Sequence, residues 1–196
     1  MAQKGYLVIA DISGYTAFVT QVEMEHAEGI MKSLLTTLVK KMQSLLSISK
    51  LEGDAIFAYA PEGNIDKGQT LLELVENTYR AFARTLERMH RKTSCHCKAC
   101  LLIPTLDLKF ILHHGTFMLS KIEGHQELSG PDVILVHRLL KNKITETSGI
   151  KAYAFISHSC ADAMPIGKLK DGMITHIEKY EHLGEVSGYV HDLHSA

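Results

Sequence analysis

The chain has 196 residues, 45% of them hydrophobic, which is enough to bury the core of one domain. Lys and Arg total 21 against 22 Asp and Glu, a formal net charge of −1. This excludes a global basic field for nucleic acid or an anionic membrane, so any phosphate chemistry has to be local. No apolar run approaches the roughly 20 residues that cross a bilayer, and three of the four cysteines crowd into residues 95–100 instead of forming the spread framework of a secreted scaffold, so we expect one soluble, unexported, cytoplasmic domain over 1–196.

Residues 6–12 form an apolar run that predicts a buried strand, closed by Ser13-Gly14. From Thr16 the period changes: Ile30, Leu34, Leu35, Leu38, Met42, Leu45 and Leu46 recur at steps of three and four, the stripe of one or two amphipathic helices. Residues 47–52 and 55–60 read as a β-hairpin with Gly53-Asp54 at its turn. Residues 66–91 predict a second long helix, with acids early and bases late as the helix dipole favours. A Cys-rich loop at about 93–102 follows.

Residues 105–114 and 115–122 predict two strands, with a turn at Gly124-His125. Gly130-Pro131 opens a helix whose core face carries Val133, Val136, Leu140 and Ile144, since proline suits the first helical position. Strands are expected at 153–156, 173–180 and 186–193, with a short helix near 157–163. Mixed strands and helices without strict βαβ alternation predict an α+β domain, a mostly antiparallel sheet with helices packed on one face. A second copy of the chain is the expected cover for the other face.

Two stretches carry the candidate chemistry. Ala10-Asp11-Ile12-Ser13-Gly14-Tyr15-Thr16 and Lys50-Leu51-Glu52-Gly53-Asp54-Ala55 each set an aspartate at the edge of a strand beside a glycine. Taken singly, either aspartate is an ordinary turn residue. If the first strand pairs with the hairpin, however, both carboxylates emerge at one edge, a donor pair suited to Mg²⁺ or Mn²⁺ with phosphate on the open positions.

The chain resembles the class III nucleotidyl cyclases, the adenylate and guanylate cyclases, as a divergent bacterial member. The two aspartate stretches resemble that family's metal motifs. Leu-Lys-Phe-Ile-Leu-His-His-Gly at 108–115 resembles its strand ending in His-x-Gly, and Gly-Pro-Asp-Val-Ile-Leu-Val-His-Arg-Leu-Leu at 130–140 its helix carrying a catalytic arginine. The four stretches occur in family order. The resemblance implies a ferredoxin-like cyclase fold, metal binding by Asp11 and Asp54, and phosphoryl stabilisation by Arg138. It also implies purine reading by Lys50 and Glu127, a pair that favours ATP. In the family the metal pair lies on one chain and the purine and arginine groups on another, so the resemblance implies a homodimer.

Two positions depart from the family pattern. Ile134 stands where the family usually has an asparagine that orients the ribose, and Leu183 stands where it has a triphosphate-binding lysine. His137 and Lys141, on the same helix, are candidates to serve ribose or phosphate instead. Two functions follow: a weak cyclase forming a 3′,5′-cyclic nucleotide from Mg-NTP, or a catalytically degenerate domain that binds a ligand or a protein partner. Separately, Cys95, Cys97 and Cys100, with His90, His96 or Cys160 as a fourth ligand, read either as a zinc site or as reduced thiols.

Overall fold

The computed structural model of the chain describes residues 1–65, 71–92, 95, 97–164 and 167–195. In chain order the elements are β1 (Ala2–Ser13), α1 (Tyr15–Gln21), α2 (Met24–Met42), β2 (Ser47–Glu52), β3 (Ala55–Pro61), α3 (Leu71–Lys92), α4 (Lys98–Leu102), β4 (Asp107–Ile122), β5 (His125–Ser129), α5 (Pro131–Leu139), α6 (Ile144–Ser148), β6 (Tyr153–Ser157), α7 (His158–Ala163), β7 (Ile174–Tyr180) and β8 (Gly184–Asp192). The strands form one sheet in the order β2-β3-β1-β4-β6-β8-β7, with β5 paired to the distal part of β4. Every pairing is antiparallel except β4 with β6.

The continuous apolar run of β1 follows from burial on both faces. Tyr6, Val8, Ala10 and Ile12 point into a core shared with Ile30, Leu34 and Leu38 of α2 and Val75 and Phe82 of α3. Leu7 and Ile9 point the other way, into a core with Phe57, Val136, Leu139 and Phe155. The α+β fold with a helical layer on one face is therefore as expected: α1 to α4 and α7 supply that layer. The short helices α5 and α6 lie against the opposite face, and the functional candidates gather beside them.

Several local expectations are corrected. The Cys-rich stretch is not all loop, because Lys98–Leu102 forms α4 and buries Ala99. The two strands expected at 105–114 and 115–122 are one, β4, because Gly115 stays in register opposite Gly5 and the ladder to β1 runs on past it. The helix after Gly130 ends at Leu139, and Ile144 is buried from a separate helix. Asn142 makes that break: its amide donates to the Leu139 carbonyl at 2.7 Å, while its oxygen accepts from Ile144 N–H at 3.0 Å and from the Tyr153 hydroxyl at 2.9 Å. The start of the helix expected from residue 66 lies outside the described residues. No described helix is long and apolar enough to cross a membrane.

Candidate functional site

The hairpin of β2 and β3 organises the site. Gly53 turns it with φ of 67°, a region that disfavours side chains. The ladder runs Ser47 opposite Tyr59 and Ile48 opposite Ala58, then shifts by one so that Lys50 faces Phe57 and Glu52 faces Ala55. The extra residue is Ser49. Without this bulge Lys50 would face Ile56 and point into the α2–α3 core; with it, Lys50 and Glu52 share the face of Phe57 and α5.

Three contacts follow along this strand. Lys50 Nζ lies 2.6 Å from Glu127 Oε2 on β5, over a cleft of about 270 Å³ that also includes Tyr59 and Gln126. The Glu127 hydrogen bond raises the Lys50 pKa. Glu52 Oε2 lies 3.6 Å from Nδ1 of His137 on α5, whose ring meets the edge of Phe57 at 4.8 Å between centroids. In the turn itself, the Asp54 carbonyl accepts from Ile12 N–H at 3.2 Å, which holds Asp54 beside the end of β1.

Asp11 and Asp54, 43 residues apart in sequence, thus come together. Partial burial, and next the neighbouring Asp11 charge, raise the Asp54 pKa. Sequence reasoning missed the third member of this group, Lys109 on β4, which pairs directly across from Asp11. Its Nζ stands 3.1 Å from Asp11 Oδ2 and donates to the Leu140 carbonyl at 3.3 Å. Two mutually repelling carboxylates are a donor set that suits a hard divalent cation, with Lys109 already supplying one positive charge.

α5 presents Ile134, His137 and Arg138 around a shallow cleft of about 380 Å³, and Lys141 lines the same cleft from the turn after the helix, not from the helix itself as expected, because α5 ends at Leu139. Arg138 and Lys141 are exposed and have no ion pair among the described residues. Ile134 is 56% exposed, so no packing need explains an apolar side chain there. The helix is moored at its start by Asp132, whose Oδ2 accepts from Thr116 N–H at 2.6 Å and whose Oδ1 lies 3.1 Å from His113 Nε2. His113 Nδ1 lies 2.9 Å from Ser157 Oγ. His113 and Ser157 are buried, so this chain of contacts braces α5 and α7 against the sheet. A Cβ on Gly115 would collide with the Asp132 carboxyl group, which explains the glycine closing His-x-Gly.

The cysteine cluster is separate from this face. His26 Nδ1 on α2 lies 3.1 Å from Cys97 Sγ, and His26, Cys95 and Cys97 bring their ligand atoms within 4.8 Å of one another. Of the fourth ligands considered, Cys160 is buried in the core from α7, His90 is exposed near the end of α3 and outside the gathered group, and His96 lies outside the described residues. The partner that does arrive, His26, is 71 residues from Cys97, and no spacing signal pointed to it.

The family model described as "Protein of unknown function (DUF2652)" matches residues 31–148, well over half of the chain. The chain belongs to that family. The match takes in Lys50, Asp54, Glu127 and α5 but stops short of Asp11. A Mycobacterium tuberculosis relative, the "Uncharacterized protein Rv2561/Rv2562", is 32% identical over 165 residues, 83% of this chain and 73% of that protein. Among solved structures, a bacterial light-regulated adenylyl cyclase is similar with a TM-score of 0.70 and 10% identity. The match covers 98% of this DUF2652 chain and only 53% of the cyclase, so the chain spans about half the length of that protein. The guanylyl cyclase Cya2 is similar with a TM-score of 0.69 at 11% identity, covering 97% and 92% of the two chains. The guanylate cyclase domain of RhGC from Catenaria anguillulae, solved in complex with GTP, gives 0.61 at 13%, covering 97% of each. At such identities the likeness is one of fold: this DUF2652 chain has the fold of adenylyl and guanylyl cyclase domains.

Proposed function

We propose that the chain binds a nucleoside triphosphate, ATP favoured, with Mg²⁺ or Mn²⁺ across a homodimer, and converts it slowly to a 3′,5′-cyclic nucleotide. In this reading Asp11 and Asp54 hold the metal. Lys50 donates to the purine and Glu127 accepts from it, a pattern that suits adenine. Arg138, assisted by His137 and Lys141, meets the phosphates of the nucleotide held by the other subunit. The chemistry is positioning and charge neutralisation, which needs little more than these groups.

The observation that carries the reading is the meeting of Asp11 and Asp54 on one sheet face with the Lys50–Glu127 pair and the exposed side chains of α5. The similar cyclase domain solved with GTP supports a triphosphate as the ligand class. An apolar group where a preorganised polar one is expected costs roughly 10²–10³ in rate, which is why turnover is proposed to be slow.

A second reading, binding without turnover, draws on the same Ile134 and on the Lys109 ion pair that already partners Asp11. One assay separates them. Purified protein is incubated with ATP or GTP and Mg²⁺ or Mn²⁺, with cyclic product measured by chromatography and nucleotide affinity by calorimetry. Cyclic product lost in Asp11→Asn supports the cyclase; metal-dependent binding without product supports the second reading; neither product nor binding sinks both.

A further inference from the structure

Cys95, Cys97 and Cys100 lie within six residues, and α2 brings His26 to them. The three ligand atoms of His26, Cys95 and Cys97 are within 4.8 Å of one another, and the His26–Cys97 pair stands at 3.1 Å. Cys97 caps the start of α4, and Cys100 follows it by three residues, one helical turn away, so its thiol is the nearest further sulfur that can turn in to complete the set. No disulfide ties up any of these cysteines. We infer that Cys95, Cys97, Cys100 and His26 form a tetrahedral zinc site that clamps the segment after α3 onto α2.

The donor set is the argument. Three sulfurs and one imidazole nitrogen select zinc or another soft divalent ion, whereas the Asp11–Asp54 pair, all oxygen, selects a hard one. Zinc bonds of about 2.3 Å to sulfur and 2.0–2.1 Å to nitrogen put neighbouring ligand atoms roughly 3.5–3.8 Å apart. The His26, Cys95 and Cys97 atoms, within 4.8 Å of one another, therefore need to close by about 1 Å, while Cys100 has to turn its thiol in to complete the tetrahedron.

The fold also gives the clamp a purpose. α4 has five residues, too few to persist on helix propensity, and its buried anchor is Ala99. A site with four protein ligands leaves no open position for substrate, so its role is structural. It ties the connection from α3 to β4, the strand that carries Lys109 and His113, to the helical layer.

The test uses untagged protein purified without chelator and is independent of nucleotide binding. Elemental analysis is expected to give about one zinc per chain. After removal of zinc under reducing conditions, Co²⁺ is expected to restore a sulfur-to-cobalt charge-transfer band and the intense visible bands of tetrahedral cobalt. His26→Ala and Cys97→Ser, each checked for folding by circular dichroism, should weaken binding by more than the ~10–100-fold typical of losing an outer-shell partner. His26→Cys should keep the metal and shift the cobalt spectrum towards four sulfurs. Absence of zinc together with absence of a cobalt spectrum overturns the site. So does a cobalt spectrum unchanged in His26→Ala, or one that survives Cys97→Ser and vanishes in Asp11→Asn.

Discussion

Lys109 sets its ammonium nitrogen 3.1 Å from an Asp11 carboxylate oxygen and 3.3 Å from the Leu140 carbonyl, joining the end of β1 to the end of α5. Both side chains are mostly shielded, 21% and 17% exposed, so the pair is worth more than a surface ion pair. Lys109→Met should lower stability in urea by about 1–3 kcal/mol, the cost of leaving a charged group without its partner. It should also tighten Mn²⁺ binding, followed by the loss of the free-ion resonance signal, because Asp11 loses its resident cation. Lost stability without tighter Mn²⁺ binding would make Lys109 a brace and nothing more.

Asp54 gives a pH signature. Its pKa is raised by burial and by Asp11, so the folded state holds the proton more tightly than the unfolded state does. The stability this group contributes is therefore complete below the ordinary value of 3.8 and is lost as pH rises through the raised one. Asp54→Asn should melt higher than the parent protein at neutral pH, with the gap closing on acidification. Added Mg²⁺ should raise the melting temperature of the parent and leave the variant unmoved.

Gly115→Ala forces a methyl group into the Asp132 carboxyl and should loosen the start of α5. With the Thr116 and His113 contacts disturbed, a loss of about 2–4 kcal/mol is expected, read as a lower urea midpoint with unchanged slope. Nucleotide affinity should fall with it, because α5 carries Arg138. An unperturbed midpoint would show that Asp132 relaxes freely and that the mooring is weak.

The Lys50–Glu127 pair is 42% and 32% exposed, so disrupting it should change stability by less than about 1 kcal/mol. Its value lies in recognition. Lys50→Glu with Glu127→Lys keeps the pair and reverses its donor and acceptor pattern, and should shift preference from ATP towards GTP in competition calorimetry. An unchanged ATP to GTP ratio removes the pair from the purine site.

Ile134→Asn restores a polar side chain at an exposed position and should leave the fold intact. If turnover is limited by the missing group, cyclic product should rise by up to roughly 10²-fold. A variant that binds nucleotide as before and makes no more product would favour binding without catalysis.

Periodicity determined much of this protein without coordinates. Two-residue and 3.6-residue repeats identified the hairpin, the long helices and the α+β class, because one buried face leaves a local imprint on the chain. The order of the motifs singled out Asp11 and Asp54. Local pattern could not yield Lys109, whose role exists only through its register across from Asp11, nor His26, delivered to Cys97 across 71 residues by helix packing. It could not reveal the bulge at Ser49 either, although that one residue decides which face Lys50 and Glu52 occupy. A strand's pattern records that some face is buried; which residues meet across strands is settled by register and packing, and those are properties of the assembled sheet.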